Sequence, residues 1–359
     1  MKGTLRLEKG LFSTTPRVIC DFEGLTATAF QFTSGVQAVR IENPSGHIIV
    51  LPFQGQQVWD AVFHGRRLTM RNFFPEPQPA TQLLDSYGAF LFHCGALRMG
   101  TPAAEDTHPL HGELPNAPYQ EAWLVLGDDA GGPYLGVSGS YTWIKAFGDT
   151  YRATPRAVLH RDSTVVDVEM AIENLAHAPM DLMYMCHVNF LPAMNGDIVQ
   201  ATGWSTKDMV LRSSIPSHVH PTPEYLKFME ALKANPEVTR HIRPEDQYNP
   251  EFVFYVRNLR HDAKGLTHMM QKHPDGSADY ISWDVTRLDH AVRWILIHED
   301  QKVMAMALPS TCDPEGYVAE KKKGNVRTIP PLGREVFSVR AGYLDMAESR
   351  RIESLIGTL

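Results

Sequence analysis

Apolar and polar residues alternate along most of this chain. In "VVDVEMAIEN" (165–174), Val166, Val168, Met170 and Ile172 fall on one side, with Asp167, Glu169 and Glu173 on the other. That period of two predicts a half-buried antiparallel strand. "VQAVRIENPSGHIIVLPF" (36–53) reads as strand, turn, strand, with Asn43-Pro44-Ser45-Gly46 supplying the turn. Short apolar segments of the same kind recur at "YLGVSGSYTWI", "FVFYVRNL", "YISWDV", "VRWILIH", "KVMAMAL" and "EVFSVRAGYL". Gly and Pro, at 26 and 25 residues, punctuate them.

Helix is scarce. Residues 222–234 offer Thr222 as an N-cap and Pro223 at the first helical position, followed by Tyr225, Phe228, Met229 and Leu232 at helical spacing. The tail "LDMAESRRIESLI" predicts a second, surface helix, and the polar stretch 235–250 predicts a loop at one end of the sheets. Strands before and after the first helix look alike, and no repeat or linker divides the chain. The expected architecture is an all-β, large antiparallel sandwich with one or two short helices, in a single domain over 1–359. A double cupin-like barrel fits the same pattern.

Composition narrows the function classes. The 359 residues are 43% hydrophobic and 21% charged, enough for a large core. With a formal net charge of -7 and no basic block longer than "KKK" (321–323), counterion-driven nucleic-acid binding is not expected. The N-terminal stretch has no apolar core of signal-peptide length, and no run reaches the roughly 18 apolar residues that span a bilayer. We therefore expect a soluble, cytoplasmic protein with no membrane partner, acting on a small polar ligand as a monomer or homodimer. Cys20, Cys94, Cys186 and Cys312 are far apart and form no CxxC. Zinc-ribbon and disulfide frameworks are unsupported.

Two stretches could carry chemistry. "EDTHPLHGELPNAPYQEAW" (105–123) gathers His108, His111, Glu113 and Asn116 around Gly112 and three prolines, as rigid functional loops do. Its His-x-x-His-x-Glu spacing admits a metal site or sugar hydroxyl recognition, or loop histidines without a ligand. "MYMCHVNFLPA" (183–193) places His187 inside an apolar strand, with Asn189 on the same face. An imidazole held there is either a hydrogen-bonded core residue or a proton-transfer group. His93 precedes a Gly two residues on that would admit a ligand to the backbone, and His218 and His220 in "PSHVHP" are weaker ligand candidates. Trp59, Trp123 and Trp283 could stack on a sugar ring or fill the core. A GxSxG elbow, a Walker loop and a helix-opening GxGxxG are all absent, so covalent serine catalysis, phosphoryl transfer and dinucleotide redox chemistry lose ground.

Taken in order, "PLHGELPNAPY" (109–119), "CHVNF" (186–190) and "GYVAEKKKGNVRTIPPLGREVFSVRAGYL" (316–344) resemble aldose 1-epimerase (galactose mutarotase-like) proteins, and specifically a divergent bacterial branch. The resemblance spans most of the chain and implies a β-supersandwich. It implies catalysis in which a carboxylate takes the anomeric proton while a histidine protonates the ring oxygen, so that the ring opens and recloses. His187 matches that acid, and His111, followed by Gly, matches an assisting histidine. Related sequences carry Glu-Pro on the strand before the final segment, where this chain has Leu308-Pro309. The base is then sought at Glu320, Glu315 or Glu113.

The leading expectation is an anomer- or epimer-interconverting enzyme without a cofactor or metal. His187, His111, Glu320 and Glu315 are its catalytic candidates, and His108, Glu113, Asn116, Asn189, His93 and Trp283 its substrate-binding candidates. A non-catalytic sugar-binding protein is the alternative that Leu308 supports. A metal-dependent isomerase using His108, His111, Glu113 and His187 is another.

Overall fold

The computed structural model describes residues 2–215, 220–246 and 248–359, so His218 lies outside the described residues. Two large antiparallel sheets carry the chain. The first has nine strands, in the order Lys2–Arg6, Glu121–Asp129, Gly132–Ile144, Thr150–His160, Val165–Asn174, Arg334–Leu344, Ala278–Asp284, Leu266–Lys272 and Asp197–Gln200. The second has thirteen. Its main path runs Met209–Leu211, Phe252–Val256, His290–Ile297, Lys302–Ser310, Met180–Val188, Leu91–Ala96, Val58–Phe63, Gly46–Val50, Gln37–Asn43, Leu25–Gln31 and Arg17–Phe22.

Residues alternating inward from both sheets form the main core. Val166, Val168, Met170 and Ile172 meet Tyr184, Cys186, Met304 and Ile295 there, as the period of two requires. The hairpin read at 36–53 is present, with Asn43 Oδ1 accepting from the amides of Ser45 at 2.9 Å and Gly46 at 3.0 Å. Asn43 thus holds its own turn while closing the ladder.

Helix α1 spans Pro223–Ala234, and Thr222 Oγ1 accepts from Tyr225 N at 3.1 Å as its N-cap. A seven-residue helix not anticipated from the sequence, α2, covers Tyr317–Lys323 and ends on Gly324 in the left-handed conformation. Helix α3, Met346–Thr358, starts on the Asp345 cap and lays Ile352 and Ile356 over Val165, Met270 and Leu344, on the outer face of the nine-stranded sheet. No described helix is long and apolar enough to cross a membrane.

The outer face of the thirteen-stranded sheet carries a second apolar cluster that includes Phe92, Met185, Val292 and Leu308, edged by Tyr87, Val253, Tyr255 and Trp294. A bulge in the Lys302–Ser310 strand, where Ala305 pairs Trp294 and Leu308 pairs Val292, keeps Ala305 and Leu308 on this face although they are three residues apart. This apolar sheet face is the floor of the candidate site.

Candidate active site

His187 stands on that floor, 3% exposed, on the Met180–Val188 strand. It pairs directly with Phe92 across the ladder, and the two rings stack with centroids 4.5 Å apart at 13°. Trp294 and Tyr87 meet the imidazole edge-on, at 5.7 Å and 6.1 Å. Aromatic packing on three sides excludes water from the ring, and burial drives its pKa well below 6.5. The neighbouring His111 lowers it further, against a hydrogen bond to Asn189 that favours the charged form. His187 is neutral at pH 7.

His111 comes from the opposite direction, on the loop after the Leu91–Ala96 strand, and its ring centre lies 5.4 Å from that of His187. Its backbone is clamped, with N donating to Gly100 O at 2.9 Å and O accepting from Gly95 N at 3.0 Å. Both His111 (φ 60°) and Gly112 (φ 84°) adopt left-handed conformations. A Cβ at residue 112 would run into the carbonyl oxygens of Arg98 and Gly95. The glycine therefore lets this loop reach the sheet and aim His111 inward. Gly112→Ala is expected to cost at least about 2 kcal/mol, from strain and displaced backbone together. Urea unfolding of the variant checks this. The His111 pKa is lowered to about 4 by burial, then by His108 and the Arg212 guanidinium.

Glu315 lies on the far wall. Arg212 Nε is 2.9 Å from its carboxylate, and the Tyr255 hydroxyl donates to the same oxygen. Tyr255 shares a sheet face with Trp294, because Tyr255 pairs Val292 and Val253 pairs Trp294. Behind this wall, Trp294 Nε1 donates to Glu251 Oε2 at 2.6 Å, and the Glu251 carbonyl accepts from Tyr225 Oη on α1 at 2.8 Å. The helix thus buttresses the tryptophan. His111, Tyr87, Trp294, Arg212, Tyr255 and Glu315 are all half-buried; the first three surround the His187 ring, and the other three form one hydrogen-bonded group on the His111 side.

Several other expected site residues have different duties. Glu320 is wholly buried on α2, where its carboxylate accepts from Asp313 N at 3.0 Å, Asn325 Nδ2 at 2.7 Å and Lys323 Nζ at 2.7 Å. Those three donors leave it holding the α2 turn rather than waiting for a sugar proton. Glu320→Ala is expected to cost about 1–3 kcal/mol by leaving Asp313 N and Asn325 Nδ2 without their acceptor, measurable by chemical denaturation. Glu113 is likewise turned away, accepting from Ala96 N at 3.1 Å, Leu97 N at 2.9 Å and Tyr151 Oη at 2.8 Å. Burial pushes its carboxyl pKa up, against those hydrogen bonds.

His93 points to the opposite side of its strand from Phe92. It therefore enters the sandwich interior, where Nδ1 meets Tyr184 Oη at 2.8 Å and burial lowers its pKa to about 3. Trp283 is a core residue of the nine-stranded sheet, 1% exposed, with Nε1 donating to Leu288 O at 3.0 Å. Asn116 spends its amide on Gln57 and on the Gln82 carbonyl, at 2.8 Å and 2.9 Å. It borders a separate open groove of about 460 Å³, lined also by Phe53, Gln54 and Asp85, that none of the histidines lines. His108 donates from Nδ1 to Pro109 O at 2.8 Å, has Nε2 3.7 Å from Asp106 Oδ2, and lowers the pKa of the neighbouring His111. His220 is exposed. Among the described residues no three His, Cys, Asp or Glu side chains are grouped so as to hold a metal ion.

Asn189 is wholly buried and supports the site from beneath. Its Oδ1 faces His187 Nδ1 at 2.8 Å, while Nδ2 donates to Ala89 O at 3.0 Å. Tyr87, Trp294, Tyr255 and Arg212 were not singled out from the sequence. Trp294 and Tyr255 could have been found by their place on the outward face of apolar strands. Tyr87 and Arg212 lie outside the regular strands, and only the folded chain brings them here.

Comparison with known proteins agrees with this architecture. Residues 33–203, less than half of the chain, match the family model described as Domain of unknown function (DUF4432). No curated protein matches the sequence. A Klebsiella pneumoniae structure, provisionally called an aldose 1-epimerase, superposes over 100% of this chain and 96% of its own, with a TM-score of 0.83 at 16% identity. A galactose mutarotase-like protein from Clostridium acetobutylicum covers 90% of this chain and 100% of its own, with a TM-score of 0.59 at 12% identity. An Escherichia coli K12 protein, also provisionally an aldose 1-epimerase, covers 86% and 99%, with a TM-score of 0.53 at 12% identity. Two stacked antiparallel sheets of this size, matched end to end by such structures, identify the chain as one with the galactose mutarotase-like β-sandwich fold.

Proposed function

We propose that the chain is a carbohydrate-active enzyme that interconverts the anomers of an aldose, with the sugar bound against His187, between His111 and the Tyr87 and Trp294 rings. The observation that carries this reading is the convergence of His187 and His111, 5.4 Å apart, beside an aromatic wall and a carboxylate held by Arg212. Sugar rings present apolar C–H faces and polar edges, and Trp294 with Tyr87 suits the first while the histidines, Glu315 and Arg212 suit the second. The names given to the three structural relatives point the same way, although fold alone does not establish catalysis.

Anomer exchange needs a group that moves a proton from the anomeric hydroxyl to the ring oxygen, and groups that steady the charge meanwhile. His187 is central, on a rigid strand. His111 and Arg212 flank the place where negative charge develops. The Tyr87 hydroxyl now lies 3.4 Å from His187 Nε2, so a bound sugar hydroxyl takes its place. Leu308 stands where the family resemblance implies a carboxylate, which favours a pure binding role as the second reading. Polarimetry of freshly dissolved single anomers from a panel of neutral and acidic aldoses separates the two. Accelerated mutarotation supports the enzyme. Sugar-dependent thermal stabilisation without acceleration supports the binder.

A further inference from the structure

We infer that His187 takes the first proton in this site instead of giving it, because Asn189 fixes the imidazole as the Nδ1–H tautomer and leaves Nε2 as a bare acceptor. The inference rests on the anomer-exchange reading for its chemistry, but its geometric half stands apart from it. An amide has one accepting and one donating end. Asn189 Nδ2 is committed to the Ala89 carbonyl at 3.0 Å, and turning the amide over would set two oxygens against each other. Oδ1 therefore faces His187 Nδ1 at 2.8 Å, and the hydrogen between them belongs to the imidazole. A neutral ring with its proton on Nδ1 has only a lone pair on Nε2. The Tyr87 hydroxyl, the neighbour of Nε2 at 3.4 Å, is able to donate to that lone pair.

Charge favours the same state. Among the titratable and charged groups around the ring, His111 opposes a second proton, and Arg212 stands beside His111. Tyr87 and Cys94, on the same sheet face, are both held in their neutral forms by burial. Asn189 offers an oxygen but no charge.

The proton balance closes with this single residue. The anomeric O1–H bond breaks and its proton passes to His187 Nε2. As C1–O1 becomes a carbonyl, the C1–O5 bond breaks and its electron pair stays on O5. The proton on Nε2 then passes to O5. Rotation about C1–C2 and the same transfers in reverse give the other anomer. No carboxylate base is required, which accounts for a leucine at residue 308. Asn189 is a positioning residue in this scheme, acting through His187 alone.

The test is the protonation state of His187, read by long-range 1H–15N NMR on 15N-labelled wild-type protein, with His187→Gln to assign its signals. At pH 7 we expect a protonated Nδ1 and an unprotonated Nε2. An Nε2–H tautomer or a doubly protonated ring overturns the inference. Asn189→Asp supplies the kinetic arm, since a carboxylate on Nδ1–H stabilises the imidazolium and raises its pKa by about one to three units. If neutral His187 is the working form, the wild-type exchange rate is flat from pH 6 to 8, and the variant's acid limb moves up by that amount. A wild-type rate that climbs steadily as pH falls from 8 to 6, following the fraction of protonated ring, would make His187 the donor and contradict the inference. Should no aldose respond at all, the functional reading fails, and the NMR spectrum still decides the tautomer.

Discussion

His187→Ala is expected to slow anomer exchange about 10²–10⁴-fold, the usual contribution of one positioned acid–base group, while the protein stays folded. The backbone of the Met180–Val188 strand is held on both sides by ladder hydrogen bonds that do not involve the imidazole. The substitution removes a stack on Phe92 and strands Asn189 Oδ1. An unsatisfied buried acceptor costs about 1–3 kcal/mol, a loss that a large two-sheet core tolerates. His187→Gln isolates the chemistry, since its amide can still bond to Asn189 but cannot carry the proton. Exchange rates for the two variants, with thermal melts alongside, make the check. Unfolding of both variants would mean that the imidazole is there to complete the sheet.

Acidification should destabilise the fold steeply, beginning well above the range where carboxylates titrate. His93 and His111 have folded pKa values of about 3 and about 4, and that of His187 is also far below 6.5. In the unfolded chain all three return to about 6.5. Below that value the unfolded state binds protons that the folded state refuses, so stability falls as pH falls until the folded values are reached. Each unit of difference is worth about 1.4 kcal/mol, so at pH 4.5 His93 and His111 together cost roughly 5 kcal/mol. His187 adds in the same direction. His160 works the other way, raised by its hydrogen bond to Asp167 and by Asp129, and offsets part of the loss. Urea denaturation at pH 7.5, 6.5, 5.5 and 4.5 should show most of the decline below 6.5. His93→Phe, which removes a buried group with no place in the site, should flatten it. An unchanged midpoint down to pH 5 would mean that these rings are more hydrated than their burial implies.

The sequence revealed its strands because one side of each faces water, as at Val166 to Ile172, and its first helix because Thr222 and Pro223 mark its start. It concealed α2 because "AEKKKG" reads as exposed charge. Glu320 is nonetheless buried there, satisfied by Asp313, Lys323 and Asn325 across the turn. Arg293 misleads in the same way, fully buried between strands with Met306 O and Gln200 Oε1 as acceptors. Such residues find their partners only in three dimensions.

The site was legible in the same uneven way. His187 and His111 stand out through the family resemblance, and they do face each other. His93 does not join them, because the Leu91–Ala96 strand is buried on both faces and its polarity pattern shows no inside or outside. Register alone, pairing Phe92 with His187 and His93 with Cys186, settles it. Asn189 was grouped with His187 correctly by spacing, but its two bonds make it a support for the ring.

The most direct measurement is NMR exchange spectroscopy between the α and β anomer signals of each aldose at equilibrium, with and without catalytic amounts of the wild-type protein. The account predicts that at least one sugar shows exchange cross-peaks only when protein is present, and that His187→Gln abolishes them. Exchange no faster than the buffer background for every sugar, at protein concentrations where sugar binding is demonstrable, would contradict it.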